Sequence, residues 1–312
     1  MKGIIKMKNQ KMLMAEVALL YYKKGYTQQE IAERLNLTRQ TVSKLLTTAI
    51  NEGVVEIKIH DPVLENAELQ EELQNKFNIH NVICSVSSDN DELRKLATIE
   101  KSIEYLSPIL QKGNLKIAVS WGRSVQSFIK YMPSITTIGN TVFPLFGATE
   151  HEQQCFVPNE LVREFAKKLD ARAQYAWFPY QPENEEDFHL FQRTAYYKSM
   201  QEYWNSFDLA IIGIGNNTAF RLLNPTFTKD SETKKAVGDV ATHFFDANGK
   251  WIETDEKTLR VSAQHLKSTG KKIAIAYGND KVEAIVGAIK AGFVDTLITD
   301  EYTAKQLLAV NH

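Results

Sequence analysis

The chain has 312 residues, 43% of them apolar and 24% charged, with a net charge of −1. That is enough for two domains with a sizeable core, and too neutral for a general polyanion binder. The charge is uneven, however. Residues 1–60 carry 10 Lys and Arg against 5 Asp and Glu, and the remainder 27 against 33, so a basic end sits on an acidic body, which suits DNA held by one small module.

Lys2, Lys6, Lys8 and Lys11 precede no continuous apolar region, and no stretch approaches 18 apolar residues. A signal peptide and a membrane span are therefore not expected, and a cytoplasmic protein is. Cys84 and Cys155 lie far apart without metal-ligand spacing, so neither a disulfide framework nor a metal site is indicated, and no cofactor is expected. Cys84 reads as a buried small residue.

Residues 11–24 read as a helix with Leu13, Val17, Leu20 and Tyr21 on its buried face. Thr27 is a good N-cap, and Glu30 three residues later completes a capping box. Ile31, Ala32 and Leu35 make one apolar stripe, Asn36 tolerates a left-handed turn, and Leu37 plugs the corner. Thr38 then caps a second helix that buries Val42, Leu45, Leu46 and Ala49. This is a helix-turn-helix whose second helix would enter a major groove. Its exposed side would present Thr38, Arg39, Gln40, Thr41, Ser43 and Lys44 to double-stranded operator DNA. Arg pairs bidentately with guanine, Gln with adenine, and a Thr methyl meets thymine, while Ser43 and Lys44 suit phosphates. Gly53 ends that helix, and residues 54–59 read as a strand or wing.

Asp61-Pro62 breaks the chain, giving a DNA-binding domain over 1–61. Residues 62–77 are expected to form a linker helix whose partial stripe (Leu64, Leu69, Leu73, Phe77) either is solvated or meets a partner subunit. From 78 to 312 short apolar runs alternate with amphipathic segments. Strands are expected at 81–86, 116–120, 141–145, 173–177, 209–214, 273–277 and 296–299, and helices at 92–111, 124–132, 158–169, 193–205, 282–291 and 301–310. Such alternation predicts an α/β domain built on a mostly parallel sheet covered on both faces.

Ligands of such sheets gather at the carboxyl ends of the strands. Gly122-Arg123-Ser124 follows one strand and opens a helix, leaving backbone N–H groups for an anion. Similar exits are Phe146-Gly147-Ala148, Gly213-Ile214-Gly215-Asn216, and Gly278-Asn279-Asp280-Lys281, where Lys281 can reach a phosphate. Asp239 could accept sugar hydroxyls, and residues 246–249 read as the turn of a hairpin before Trp251. His151, His189, His243 and His265 are scattered, as structural or surface histidines are.

On YTQQEIAERLNLTRQTVSKLL, IAVSWGRSV, VGDVATHFFDANG and YGNDKVEAIVGAIKAGFVDTLITDEYTA, the sequence resembles the SorC family of bacterial transcriptional regulators over nearly its whole length. The resemblance implies an effector domain similar to phosphosugar isomerases and deaminases, a phosphorylated sugar as effector, and a homo-tetrameric repressor built as a dimer of dimers. It places Gly122, Arg123 and Ser124 around the phosphate with Lys281 near it, and Gly213, Gly215 and Asp239 around the sugar. Where some family members carry a lysine after the third strand, this chain has Phe146-Gly147-Ala148, which removes an amine able to capture an aldehyde. The competing readings are a phosphosugar-converting enzyme with an accessory DNA-binding module, for which Asp239 is one candidate base, and a scaffold that binds DNA without a ligand.

Overall fold

The computed structural model describes residues 11–55, 62–86, 88, 90–149, 157–216, 235–253 and 257–310, with the backbone alone for 62–65. The chain separates into two compact units, Met1–Asp61 and Pro62–His312.

The first unit opens with α1 (11–18), which widens into a π-helical turn at Leu19–Lys23. The extra residue per turn rotates the helix face. Met14, Val17 and Ala18 become the buried positions, Leu13 and Leu20 pack at the margin, and Tyr21, expected in the core, is exposed. α2 (Gln28–Leu35) begins with the expected capping box: Glu30 N–H donates to the Thr27 hydroxyl and the Thr27 N–H to the Glu30 carboxylate. The Thr27 N–H and hydroxyl both donate to the Glu30 carboxylate and hold its pKa below the usual range. Asn36 adopts φ 52° and ψ 46°, the left-handed turn, and Leu37 N–H closes it on the Ala32 carbonyl at 2.8 Å. α3 (Arg39–Asn51) is capped by Thr38 and buries Val42, Leu45, Leu46 and Ala49 against Ile31 and Ala32. Of the expected wing, residues 56–59 lie outside the described residues. Val54 and Val55 turn back through N–H bonds to the Ala49 carbonyl and pack on the same core.

The second unit is organised on a seven-stranded parallel sheet of order β1-β11-β10-β5-β2-β3-β4. Its strands are β1 (Asn81–Ser85), β2 (Lys116–Val119), β3 (Thr141–Pro144), β4 (Arg172–Ala173), β5 (Leu209–Ile212), β10 (Lys271–Ile275) and β11 (Thr296–Asp300). Alternate residues of each strand enter different cores, as the pleat requires. Ile117, Val119, Ile211, Ile273, Ile275 and Ile298 face one core, with Ile99, Val125, Phe128 and Phe165 from α5 (Asp91–Leu110), α6 (Arg123–Tyr131) and α7 (Pro158–Leu169). Ala118, Ala210, Ile212, Ala274 and Leu297 face the other. Leu73 of α4 (Pro62–Phe77) and Met200 and Trp204 of α9 (Ala195–Trp204) belong to that second core.

α4 is thus not a solvated connector. Leu69 and Leu73 are buried, Gln70 accepts the edge N–H of Cys84 at 2.8 Å, and Lys76 holds the carbonyls of Leu308 and Val310. Cys84 is buried as expected, and burial pushes its thiol up to about 12.

Two expected elements are cut short. The strand at 173–177 covers only Arg172–Ala173, because the Asn159 side chain takes both the N–H and the carbonyl of Ala176 and so ends the ladder. The helix expected at 193–205 is α9, which starts only at Ala195 because Thr194 is extended and its hydroxyl caps α9 at Tyr197; α8 (Glu185–Arg193), just before it, was not anticipated. A four-stranded antiparallel sheet was not anticipated: β6 (Gly215–Asn216), β7 (Gly238–Val240), β8 (His243–Phe245) and β9 (Trp251–Ile252). The turn read at 246–249 does join β8 to β9, with Asp246 accepting the N–H groups of Asn248 and Lys250. Among the described residues the remaining α-helices are α10 (Ala263–Ser268), α11 (Val282–Lys290) and α12 (Glu301–Ala309). No described helix is long and apolar enough to cross a membrane.

Candidate functional site

In the first unit, Thr38, Arg39, Gln40, Thr41, Ser43 and Lys44 are all exposed on α3. Thr38 is committed to the helix start: its hydroxyl accepts the Thr41 N–H at 3.1 Å and lies 2.8 Å from the Thr41 hydroxyl. Its role there is to fix where the helix begins. Arg39 and Gln40 therefore stand in the first turn, where reading helices meet base edges, and Ser43 and Lys44 stand one turn further on.

In the second unit the carboxyl ends of β1, β11, β10, β5 and β2 open into a cleft of about 530 Å³. Seven of the ten sequence-predicted ligand residues line it: Gly122, Arg123, Ser124, Gly213, Gly215, Asp239 and Lys281. Gly122, at φ 124°, precedes α6 and offers no side-chain cap, so the first N–H groups of that helix are left for an outside acceptor. Gly213 closes the floor there: an added Cβ would lie 3.3 Å from the Trp121 carbonyl and 3.5 Å from the Ser124 hydroxyl.

Lys281 reaches in from the far side, its ammonium donating to the Ile214 carbonyl at 2.6 Å. Burial lowers its pKa, and the carboxylates of Asp239 and Asp280 work against that. Asp239 is 6% exposed. Burial raises its pKa, opposed by the Thr242 N–H and by the charges of Lys281 and Arg260. Its single hydrogen bond among the described residues is from the Thr242 N–H to Oδ2, at 3.1 Å. Oδ1 lies over Gly215, where any Cβ would come within 1.8 Å of it. The oxygen of a largely buried carboxylate that opens on the cleft, with no donor among the described residues, can take one from a ligand.

The other three predicted ligand residues are not in the cleft wall. Gly147 and Ala148 donate their N–H groups to the carbonyls of Leu259 and Phe178 in neighbouring loop segments, and Gly147 is glycine because a Cβ would collide with Pro179 and Tyr180. Phe146 is fully buried against Trp121 and affects the cleft only through that indole. Asn216 stands behind the wall, bracing Asp280 at 2.6 Å.

Sequence reasoning missed Asp91, Glu92, Arg94 and Lys95 at the start of α5, and Tyr277 and Asp300. They lie at or beyond the carboxyl ends of β1, β10 and β11, and the start of α5 has no glycine turn of the kind that marked Gly122. Arg94 pairs with Asp91 and stacks 5.1 Å over Tyr302, and Lys95 lies 3.7 Å from Glu92. Burial pushes Tyr277 up to about 12, which keeps its hydroxyl a donor. His243 is structural: it hydrogen-bonds the Val261 carbonyl at 2.9 Å and stacks on Phe293, and burial drives its pKa down to about 3. No cluster of His, Cys, Asp and Glu among the described residues could hold a metal ion.

The model of a family described as "Putative sugar-binding domain" matches residues 61–309. A second, described as "Sigma-70, region 4", matches residues 14–52, the helix-turn-helix. The chain is 28% identical to the sorbitol operon regulator of Klebsiella pneumoniae, over 95% of this chain and 97% of that one. It is 27% identical to the deoxyribonucleoside regulator of Bacillus subtilis (strain 168), with the same coverage.

The chain belongs to the SorC family of sugar-binding transcriptional regulators.

The crystal structure of the full-length Klebsiella pneumoniae regulator superposes on this SorC-family chain with a TM-score of 0.71, over 95% of this chain and 98% of that one. A transcriptional regulator from Streptococcus pneumoniae TIGR4, 23% identical, shares the fold with a TM-score of 0.72 over 80% of this chain. These relatives are regulators by name and not enzymes, which sets aside the phosphosugar-converting alternative. This SorC-family chain is a DNA-binding transcriptional regulator with a sugar-binding domain.

Proposed function

We propose that this regulator represses a carbohydrate-utilisation operon in the cytoplasm and is released from its operator by a phosphorylated sugar. Residues 1–61 would bind the operator, 62–77 would lead into the effector domain, and 78–312 would take the effector. The phosphate would sit on the free N–H groups of Arg123, Ser124 and Val125, between the Arg123 and Lys281 cations, and the sugar hydroxyls would donate to Asp239. The observation that carries this reading is the pairing, in one cleft, of an anion cradle with a largely buried carboxylate that has one oxygen without a donor among the described residues. A helix N-terminus with a cation favours a phosphate dianion over a neutral sugar, and an unpaired carboxylate oxygen favours hydroxyls over apolar groups. The names of the relatives, which refer to sorbitol and deoxyribonucleosides, agree with a small polyhydroxylated ligand. One helix-turn-helix reads only a few base pairs, and the family resemblance points to a homo-tetramer arranged as a dimer of dimers.

The test is calorimetric titration of the full chain with a panel of sugar phosphates and their unphosphorylated parents. The expected result is saturable binding of at least one sugar phosphate and none of its parent sugar, without turnover. Equal affinity for the two, or chemical conversion of the bound one, would end this reading.

A further inference from the structure

The hairpin between β7 and β8 closes through Ala241 and Thr242, since Val240 pairs directly with His243. Both loop residues lie at positive φ, 47° and 66°. This is the backbone of a two-residue type I′ turn, which Asn-Gly or Asp-Gly ordinarily fills because a Cβ is unfavourable there. Thr242 is also β-branched and fully buried, which makes it a true outlier. Such a conformation persists only where its surroundings over-determine it, and it points to a use.

Two charged side chains hold this turn. The Asp239 carboxylate takes the Thr242 N–H. From the other side the Arg260 guanidinium donates to the Thr242 carbonyl and, at 2.7 Å, to its hydroxyl. Arg260 is itself fixed, because Leu259 accepts the Gly147 N–H, Val261 donates to Leu145, and the Val261 carbonyl meets His243. Arg260 does not line the cleft, whereas Asp239 and Ala241 do.

We propose that Arg260 is a positioning residue for the ligand: by locking the Ala241–Thr242 turn, it keeps one oxygen of Asp239 occupied by Thr242 and the other turned, unpartnered, toward ligand hydroxyls. This rests on the reading of the cleft given above. Recognition of the sugar, as distinct from the phosphate, then depends on a strained turn and on a cation outside the pocket. Losing the clamp lets the turn relax, swings the carboxylate, and weakens the hydroxyl contacts without touching the N–H cradle of α6.

The experiment has two arms. The first needs no ligand. Arg260→Met is made in the native chain and in one whose turn is Ala241→Asn, Thr242→Gly, a pair that adopts this conformation unaided. Arg260→Met should lower the melting temperature in the native turn and lower it much less in the Asn-Gly turn; an equal loss in both overturns the clamp.

The second arm measures affinity for inorganic phosphate and for D-sorbitol 6-phosphate, D-ribose 5-phosphate and D-fructose 6-phosphate. For whichever sugar phosphate the parent binds, Arg260→Met should weaken it at least tenfold and inorganic phosphate less than twofold. Arg260→Lys, which keeps a donor toward the turn, should recover most of the loss. In an Asp239→Asn background Arg260→Met should add nothing. Unchanged sugar-phosphate affinity, or parallel loss of both ligands that persists in Asp239→Asn, overturns the proposal. If the parent binds none of the three while the melting arm behaves as expected, it is the cleft reading that has failed, and the ligand half of this inference with it.

Discussion

The two units carry their chemistry in opposite ways. The reading face of α3 is a run of neighbours in sequence, exposed, and tied down only at Thr38. The cleft is assembled from the ends of five strands, and its key groups, Asp239 and Lys281, are charges drawn out of water. A surface that must meet phosphates and base edges can stay solvated until it binds. A pocket that must select one small molecule has to hold unsatisfied polar groups in place beforehand, and the cost is carried by the fold around them. Stability and function should therefore be nearly independent in the first unit and opposed in the second.

The largest expected effect sharpens that contrast through pH. His243 ionises near 6.5 when unfolded and at about 3 when folded. A depressed folded pKa means that the unfolded state binds the extra proton between those limits. Stability of the second unit should then fall by about 1.4 kcal/mol for each pH unit below roughly 6.5 from this group alone. His243→Gln should flatten that slope in denaturant titrations at pH 7, 6 and 5. An unchanged slope would mean that His243 is not buried neutral.

Asp239 gives the opposite sign. Its folded pKa is raised, so the folded state keeps the extra proton above the unfolded value, and ionisation at neutral pH works against the fold. Asp239→Asn should thus raise the melting temperature of the ligand-free protein at neutral pH while weakening, but not abolishing, sugar-phosphate binding. A variant that loses both stability and binding would break the comparison. Gly215→Ala makes the same point by sterics, since its Cβ would overlap Asp239 Oδ1. The expected cost is about 1–3 kcal/mol of stability together with loss of the ligand.

In the first unit the effects should separate. Arg39→Ala or Gln40→Ala should cost roughly 1–3 kcal/mol of specific operator binding, with relaxed preference at one base pair, and leave the melting temperature within error. Tight, selective binding by both variants would show that another element reads the bases. Smallest of all, Thr27→Ala should cost about 1 kcal/mol of stability through the lost capping box and leave operator specificity as it was.

The same contrast explains what could be read in advance. Capping box, left-handed Asn36 and the α3 stripe all act within a few residues, so the pattern of side chains specifies them. The parallel strands were legible because both faces are buried and the runs are apolar. The antiparallel hairpin was not, since Ala-Thr is no turn signal and the side chains that bond the turn, Asp239 and Arg260, lie outside it. The α8–α9 break at Thr194 and the early end of β4 at Asn159 likewise depend on single side chains acting as caps. In the cleft, glycine exits were visible one by one. Gly147 and Ala148 looked like the others but bond neighbouring loop segments, and Asp91 to Lys95 carry no glycine to mark them.

If the cleft controls the reading helix, operator affinity must respond to what the cleft holds. Parent, Ser124→Asp and Lys281→Ala would be measured on a duplex selected with the parent, with and without the bound sugar phosphate, at one fixed salt concentration. The parent should lose roughly 5–150-fold in affinity when the ligand is added, the usual span of coupling between two sites. Both variants should bind the operator as the parent does and fail to respond, because a carboxylate occupies the phosphate position in one and a cation is missing in the other. A sugar phosphate that shifts all three proteins equally, or leaves the parent unchanged while bound to it, would contradict the account.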